Sequence, residues 1–348
     1  MPGSRFLPGM RRAVSTLILG SMAVATAAQE TATPQNQGAG KIRITSEMVL
    51  LSVSVKDRYG NLVSELQRSE FRLFDDQVEQ DIDVFATDAL PLSLVVLVDN
   101  DLKWKEGKEM AASIRAIIGG VAATDEVMVC RFDMEFYPGE DFSRNEDKIM
   151  AELKEVQKVS LPTHSFPLAP VPGPSNSTTG SPRVAAPTSL GSRPSKALDD
   201  AIYSSAELLA ARGADRRKII LLVSDGLNAP KLNRHTANEV QEKLLRENIS
   251  VFSLATGSES SRKFERIKNY SKESGGDIYF ATASSAMEQL YAHITEQARH
   301  EYVLAYIPRG NDRTLDYHRV LVQTTHPGLT VQARNGYYSD KAAAPVNP

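Results

Sequence analysis

A run of five consecutive apolar residues, 94–98, stops abruptly at two acidic residues, Asp99 and Asp101. An apolar run without polar alternation is typical of a parallel strand that is covered on both faces. The carboxyl end of such a strand is where open α/β sheets place their ligands. Asp99 and Asp101 are therefore the first candidates for function.

Between residues 90 and 300 the apolar pattern alternates between strand and helix periods. The predicted strands lie at 92–98, 126–132, 219–223, 249–254 and 277–280, with a short edge hairpin at 134–142. The predicted helices lie at 104–118, 145–158, 196–212, 236–247, 261–274 and 285–299. Repeated strand–helix units predict an α/β fold, a doubly wound and mostly parallel sheet with helices on both faces.

The segments on either side of this α/β region read as strands. The N-terminal β-rich segment, 41–88, carries predicted strands at 41–55, 71–74 and 81–85. The C-terminal β-rich segment, 301–340, carries predicted strands at 302–307, 318–324 and 329–333. The N-terminal segment is too small to hold a sizeable core alone. We expect both to join in one sheet, a small β-rich module that packs on the α/β region.

The first 28 residues follow the pattern of a secretory signal peptide. Three arginines precede a short stretch of small and apolar residues, which ends at the possible cleavage site Ala25-Thr26-Ala27. An uncleaved membrane anchor is the alternative. We expect an exported protein, periplasmic or extracellular, with no membrane span after cleavage. Residues 29–40 read as a flexible linker and 341–348 as a tail.

Composition narrows the class of protein. The chain has 348 residues, of which 41% are hydrophobic and 24% charged, and its net charge is -3. That charge gives no support for nucleic-acid binding. Cys130 is the only cysteine in the sequence, so there is no disulfide framework and no CxxC pair. An exported chain without disulfides fits a bacterial envelope protein.

A segment rich in Pro, Ser, Thr and Gly interrupts the α/β pattern at 161–195. A loop of this length is usually either functional or disordered. Few apolar residues are available to anchor it, so disorder is the expectation, and a role in partner binding stays open.

Two predicted strands end in acids at the same edge of the sheet. Asp99 follows 94–98, and Asp225 follows 219–223 after one serine. Carboxylates that converge from neighbouring strand ends are suitable oxygen ligands for Mg²⁺, Mn²⁺ or Ca²⁺.

These motifs resemble a known family. The order of elements, together with V-D-N-D-L-K at Asp99 and V-S-D-G at Asp225, is similar to a von Willebrand factor type A domain. The flanking stretches V-S-V-K-D-R-Y-G-N-L-V-S-E-L, E-F-R-L-F-D-D, E-Y-V-L-A-Y-I-P and P-G-L-T-V-Q-A-R-N-G-Y-Y resemble the secreted von Willebrand factor A-related proteins of Acidobacteria. The resemblance covers roughly residues 41–340. It implies a non-enzymatic domain for adhesion, assembly or protein binding.

The resemblance also implies a metal-ion-dependent adhesion site, and this chain departs from it. The two aspartates of that site correspond to Asp99 and Asp225, whereas its two serines fall on Asp101 and Lys103, and its threonine falls on Lys196. A charged lysine has no lone pair to donate and repels a divalent cation. We refer to these five positions as the rim residues.

Three outcomes are open for the rim residues. In the first, the metal site is lost, and Lys103 or Lys196 acts as an internal counter-ion for Asp99 and Asp225. In the second, the lysines point away, and Asp99, Asp101 and Asp225 still hold Mg²⁺ or Mn²⁺. In the third, the acids only cap helices, as Asp101 could cap the helix that follows it.

We predict a protein-binding module whose contact surface is formed by the rim residues. The partner is an unidentified protein, and its acidic group could bind Lys103 and Lys196 directly, with no cofactor. One alternative is a metal-dependent hydrolase that uses Asp99, Asp101 and Asp225, but the sequence offers no convincing general base. Another is a purely structural envelope component. Nucleotide-binding and nucleophile-elbow motifs are absent from the sequence.

Overall fold

The computed structural model describes residues 48–87, 90–100, 122–158, 196–281, 296–297, 300–310 and 316–339 of the chain. Every described residue belongs to one compact unit that spans Ile42–Pro348. The signal peptide, the linker, the 161–195 loop and the helices predicted at 104–118 and 285–299 lie wholly or mostly outside these ranges, so they stay predictions.

The described ranges contain fourteen strands and four α-helices. The strands are β1 Val49–Lys56, β2 Phe71–Asp75, β3 Val78–Gln80, β4 Val84–Ala86, β5 Leu92–Asp99, β6 Glu126–Phe132, β7 Phe136–Tyr137, β8 Arg217–Ser224, β9 Ile249–Thr256, β10 Ile278–Ala281, β11 Tyr302–Tyr306, β12 Tyr317–Thr324, β13 Thr330–Gln332 and β14 Gly336–Tyr338. The helices are α1 Glu146–Lys158, α2 Leu198–Ala210, α3 Ala237–Arg246 and α4 Glu265–Glu273. No helix in the described part of the chain is long and apolar enough to cross a membrane.

A six-stranded sheet forms the centre of the molecule, in the order β10-β9-β8-β5-β6-β7. All neighbours are parallel except the edge strand β7, which runs antiparallel to β6. Strands β5 and β8 bury all eight of their residues, as their unbroken apolar runs predict. The predicted α/β class, with a mostly parallel sheet and flanking β-rich segments, is confirmed.

Helices α2, α3 and α4 share one core with the central sheet. Its members include Leu198, Ile202, Leu222, Leu244 and Ile267, all of which are essentially inaccessible to solvent. Burying a side chain of this size stabilises the fold by roughly 1.5–3 kcal/mol. Helix α3 begins at Ala237 because a capping box precedes it. The Thr236 side chain accepts from the Glu239 amide, and the Glu239 side chain accepts from the Thr236 amide, so two backbone donors of the first turn are paired.

The strand predicted at 81–85 is wrong in position. The chain instead forms β3 directly after β2 and resumes as β4 only at Val84. Asp76 and Gln77 have φ angles of 46° and 71°, which close a two-residue hairpin turn. The predicted helix 261–274 also differs, because a short 3-10 turn at Arg262–Phe264 precedes α4.

The single β sheet expected from the two flanking segments is also wrong. The strands form two four-stranded sheets, β13-β1-β11-β4 and β14-β12-β2-β3, and each contains strands from both ends of the chain. Residues of β12 alternate between exposed and buried, so its sheet has one apolar face. The two sheets bury their apolar faces in a shared core, which a single sheet would leave exposed; this core includes Leu51, Val53, Leu73, Tyr302, Leu304 and Val322.

Arg334 joins this β sandwich to the α/β region. Its side chain is buried, and it donates to the carbonyl oxygen of Leu245 at 2.9 Å and to that of Leu50 at 2.8 Å. Burial lowers the pKa of Arg334 to about 10. The guanidinium therefore connects α3, β1 and the segment before β14 through backbone groups.

We predict that Arg334→Met lowers the free energy of unfolding by about 1–3 kcal/mol, because the carbonyl oxygens of Leu50 and Leu245 each lose the hydrogen bond from the buried guanidinium. Chemical denaturation at neutral pH measures the effect. Arg319→Met is the matched control, since Arg319 is exposed on β12. Equal stabilities for the two variants would contradict the assigned role.

Candidate functional site

Asp99 and Asp225 lie side by side because of the strand order. Strands β5 and β8 are parallel neighbours, and their last paired residues are Val98 and Val223. The next strand after β5 is β6, on one side, and the next after β8 is β9, on the other. The site therefore sits at the carboxyl edge where the order of strands reverses, the usual ligand position in this kind of sheet.

The side chain of Lys196 lies between these two acids. Its Nζ donates to Asp99 Oδ2 at 2.6 Å and to Asp225 Oδ1 at 3.0 Å. The side chains of Lys196 and Asp99 are 0% exposed, whereas that of Asp225 is 22% exposed. Of the rim residues, the structure thus brings these three together, and Asp101 and Lys103 lie outside the described residues.

Lys196 is fixed by its own backbone before α2 begins. The Lys196 carbonyl accepts from the Ala229 amide at 2.8 Å, and the next residue, Ala197, donates to the Asp133 carbonyl at 2.8 Å. The predicted helix at 196–212 therefore starts too early, since α2 begins at Leu198. These two backbone hydrogen bonds hold the non-helical residues before α2, and the lysine side chain lies between the ends of β5 and β8.

Other donors complete the environment of the two carboxylates. Ser224 Oγ donates to Asp99 Oδ2 at 2.9 Å, and the Leu227 amide donates to Asp225 Oδ1 at 3.0 Å. The turn between Ser224 and Leu227 requires a glycine at position 226. Gly226 has a φ of 76°, and a Cβ at this position would lie 2.6 Å from Cδ1 of Phe264.

Electrostatics favour a charged lysine in this buried position. Burial by itself opposes the ammonium charge, but the attraction of Asp99 and Asp225 and their hydrogen bonds outweigh it, so the pKa of Lys196 is raised above its ordinary value of 10.5. The triad is therefore an internal ion cluster of one cation and two anions.

The arrangement does not fit a divalent cation. The oxygens that would ligate it, on Asp99 and Asp225, already accept hydrogen bonds from Lys196, Ser224 and Leu227. A metal ion between the same oxygens would lie against the ammonium group, and the two positive charges would repel.

The structure also contradicts the expectation that Lys196 binds an acidic group of a partner, because the ammonium of Lys196 is fully buried.

Two further strand-end residues organise the site, and the sequence analysis did not select them. Asp133 directly follows β6, and its side chain accepts from Asn100 Nδ2 at 3.2 Å. The same rule that selected Asp99 and Asp225, an acid at the end of an apolar strand, would have found it. Ser224 is the last residue of β8, and only the three-dimensional pairing reveals its bond to Asp99.

A second polar cluster links α2 to α4 beside the site. Asp199 accepts from Tyr270 Oη at 2.8 Å, from Asn228 Nδ2 at 2.9 Å and from Arg266 at 3.0 Å. Asn228 Oδ1 in turn accepts from the Leu198 amide at 3.2 Å. The loop after Asp225 is thereby held against the start of α2.

A third acidic group lies in the β sandwich. Within the described residues, Asp75, Asp76 and His318 offer possible metal-ligand atoms within 4.8 Å of one another. Protein groups already bond to these side chains. Asp75 accepts from the hydroxyls of Tyr306 and Tyr337, and Asp76 bonds His318 Nδ1 at 2.8 Å. We interpret the cluster as part of the sandwich core.

Comparison with known proteins gives similarities of structure only. No family model matches the chain, and no curated protein matches it. A von Willebrand factor type A structure from Catenulispora acidiphila aligns at 10% identity over 84% of this chain and 73% of the other, with a TM-score of 0.44. Proximal thread matrix protein 1 of the mussel byssus aligns at 13% identity over 62% of this chain, with a TM-score of 0.41.

The chain spans about half of the byssus protein, 49% of its length. The manganese-loaded TRAP protein of Plasmodium vivax aligns at 8% identity over 76% of this chain and 97% of the other, with a TM-score of 0.40. Since identities and TM-scores are this low, the architecture is assigned from the chain's own strand order and the site from its own geometry.

We predict that Lys196→Met lowers the free energy of unfolding by about 3–5 kcal/mol at pH 7, because it leaves a buried carboxylate without its counter-ion. The folded-state pKa of Lys196 is raised, so its stabilising effect is complete below the unfolded value of 10.5 and is lost as pH rises through the higher folded value. The difference between wild type and variant should therefore shrink at strongly alkaline pH.

Urea denaturation at several pH values measures both effects. Lys231→Met is the matched control, since it removes one positive charge from an exposed residue near the site. A Lys196→Met variant as stable as this control would show that the ion cluster does not stabilise the fold.

Proposed function

We propose that this chain is an exported, non-enzymatic protein-binding module of the von Willebrand factor A type, with its contact surface at the carboxyl edge of the central sheet, around the partly exposed Asp225. In this proposal the adhesion-type metal site is degenerate, and the Lys196 ammonium takes the place of the cation. The sequence resemblance supports the assignment to this family, and the signal-peptide pattern supports export.

The observation that supports this proposal is the position of the Lys196 ammonium, 2.6 Å from Asp99 and 3.0 Å from Asp225. A divalent ion in an adhesion-type site would ordinarily complete its coordination with an acidic group of the partner. With an ammonium in its place, the rim has a fixed charge distribution that does not depend on metal supply. Partner binding is then expected to be insensitive to chelators.

The hydrolase alternative is disfavoured by the same geometry. Metal-assisted hydrolysis needs an ion that activates water or polarises the substrate. Asp99 and Asp225 would have to supply two of its ligands, and both are engaged by Lys196. A structural envelope component without rim chemistry is the remaining alternative, and it predicts that rim substitutions leave partner binding unchanged.

We predict that the wild-type protein gives no heat on titration with Mn²⁺, whereas Lys196→Thr binds Mn²⁺ in the millimolar range or more tightly. The substitution removes the ammonium and introduces a hydroxyl oxygen, which is a suitable ligand for such an ion. Isothermal titration calorimetry on the full chain measures the effect, after circular dichroism has verified that the variant is folded.

The double variant Lys196→Thr with Asp225→Asn tests whether the bound ion is at the rim, since it removes one carboxylate and should lose the heat. Lys231→Thr is the control for loss of charge alone. Binding of Mn²⁺ by the wild type, abolished by Asp225→Asn, would overturn the proposal and restore the metal-dependent alternative.

A further inference from the structure

The carboxyl group of Glu152, on α1, is buried in a place where the fold does not compensate a negative charge. Although other atoms of this residue are partly exposed, neither carboxyl oxygen is accessible to solvent. Neither oxygen forms a hydrogen bond of standard geometry with a residue in the described ranges. The charged form of this group therefore lacks both water and a good donor, which makes it costly.

Glu152 lies at a gap in the edge of the central sheet. Helix α1 lies against β6. On the outer side of β6, strand β7 pairs with Arg131 and an isolated bridge pairs with Val127. Between these two pairings, Val129 has no strand partner on that side among the described residues. The Glu152 carboxyl is placed at this gap, where the Val129 amide favours its charged form.

Gly139 allows the chain to pass closely over the same gap. It belongs to residues 138–145, which connect β7 with α1. A Cβ at position 139 would lie 2.6 Å from the Val129 carbonyl oxygen and 3.3 Å from Glu152 Oε2. A side chain here would push the connection away from β6. The glycine thus lets α1, β6 and the connection enclose the carboxyl group together.

The charged groups around Glu152 do not neutralise it. Lys148, on the same helix, attracts a negative charge at position 152, but its ammonium is paired with Glu140 at 3.4 Å. Glu140 and Asp141, on the connection, are negative, and burial raises the pKa of Cys130 on β6 to about 12, so its thiol is neutral. Burial and the two acids outweigh Lys148 and the backbone amide at the gap, so the pKa of Glu152 is raised above its ordinary value of 4.5.

We propose that protonation of Glu152 controls the docking of α1 on the edge of the central sheet. In the docked state the carboxyl group is protonated and enclosed. When Glu152 ionises, its carboxylate needs water, and it reaches water only if α1 moves away from β6. The backbone groups of Val129 are then uncovered, and an edge strand with unpaired backbone groups is able to pair with another chain.

The direction of the pH effect follows from the raised pKa. The opened state releases the Glu152 proton near pH 4.5, whereas the docked state keeps it to a higher pH. The stabilisation of the docked state is therefore complete below pH 4.5 and is lost as the pH rises through the folded pKa. The equilibrium constant for opening of α1 should rise by at most about tenfold per pH unit and then level off.

The test is hydrogen–deuterium exchange of the full chain from about pH 4 to about pH 9, read by mass spectrometry for the amides of α1. Glu152→Gln resembles the protonated acid and does not titrate. At each pH the wild-type rate is divided by the rate of this variant, so that the intrinsic pH dependence of amide exchange cancels. We expect the ratio to lie near one at low pH and to rise as the pH increases.

Glu146→Gln is the matched control, because it removes the same charge from an exposed position in the first turn of α1. Its exchange should follow that of the wild type at every pH. Glu152→Met carries no polar hydrogen-bonding group and should be as independent of pH as Glu152→Gln, so the result does not depend on how the amide packs. The amides of α3 report whether opening is local to α1.

Three results would overturn the inference. The first is a ratio of wild type to Glu152→Gln that does not change with pH. The second is the same loss of pH dependence in Glu146→Gln, which would indicate an effect of the net charge of the helix. The third is the same pH dependence in α3 as in α1, which would indicate global unfolding instead of undocking of one helix.

Discussion

The ion cluster of Lys196, Asp99 and Asp225 is the interaction on which the carboxyl edge of the central sheet depends. A buried carboxylate at the end of a parallel strand needs a compensating charge. In this fold the compensation comes from the chain itself, through an ammonium that contacts both strand ends. The Asp225 side chain is partly accessible to solvent, whereas the side chains of Asp99 and Lys196 are fully buried.

The surrounding structure can be understood as the support of that cluster. Strand order places β5 next to β8 at the point of reversal, Asp133 and Ala229 fix the backbone around Lys196, and Gly226 lets the next loop pack against Phe264. Residues 226–228, in the loop after Asp225, then line a cleft between α3 and α4. In the proposed function, an edge with an internal counter-ion would bind its partner independently of the metal-ion concentration.

The sequence predicted those parts of the fold that local patterns determine. The apolar pattern located β5, β6, β8 and β9, and the acids Asp99 and Asp225 at the ends of β5 and β8 indicated the edge of the sheet where the candidate site lies. An acidic turn was expected at Asp75 and Asp76, but β3 directly after it was missed, because two non-glycine residues with positive φ give no strong signal for a two-residue hairpin turn. The division of the flanking strands into two sheets was missed because periodicity identifies a buried face and not the sheet that covers it.

The site residues were predictable in identity and less so in arrangement. Sequence offered three outcomes for the rim lysines, and the choice depends on the backbone around residue 196, which lies before α2 instead of within it. The bonds from Ser224 to Asp99 and from Asn228 to Asp199 join residues far apart in the chain. No local pattern in a single sequence contains that information.

In the proposed function, the Lys196 ammonium takes the place of a metal ion between Asp99 and Asp225. The most direct measurement is an X-ray structure of crystals grown in millimolar Mn²⁺, with data collected at a wavelength where manganese scatters anomalously. We expect no anomalous peak between these carboxylates and clear density for the Lys196 side chain reaching both. A manganese peak between them, with Lys196 displaced, would contradict the account.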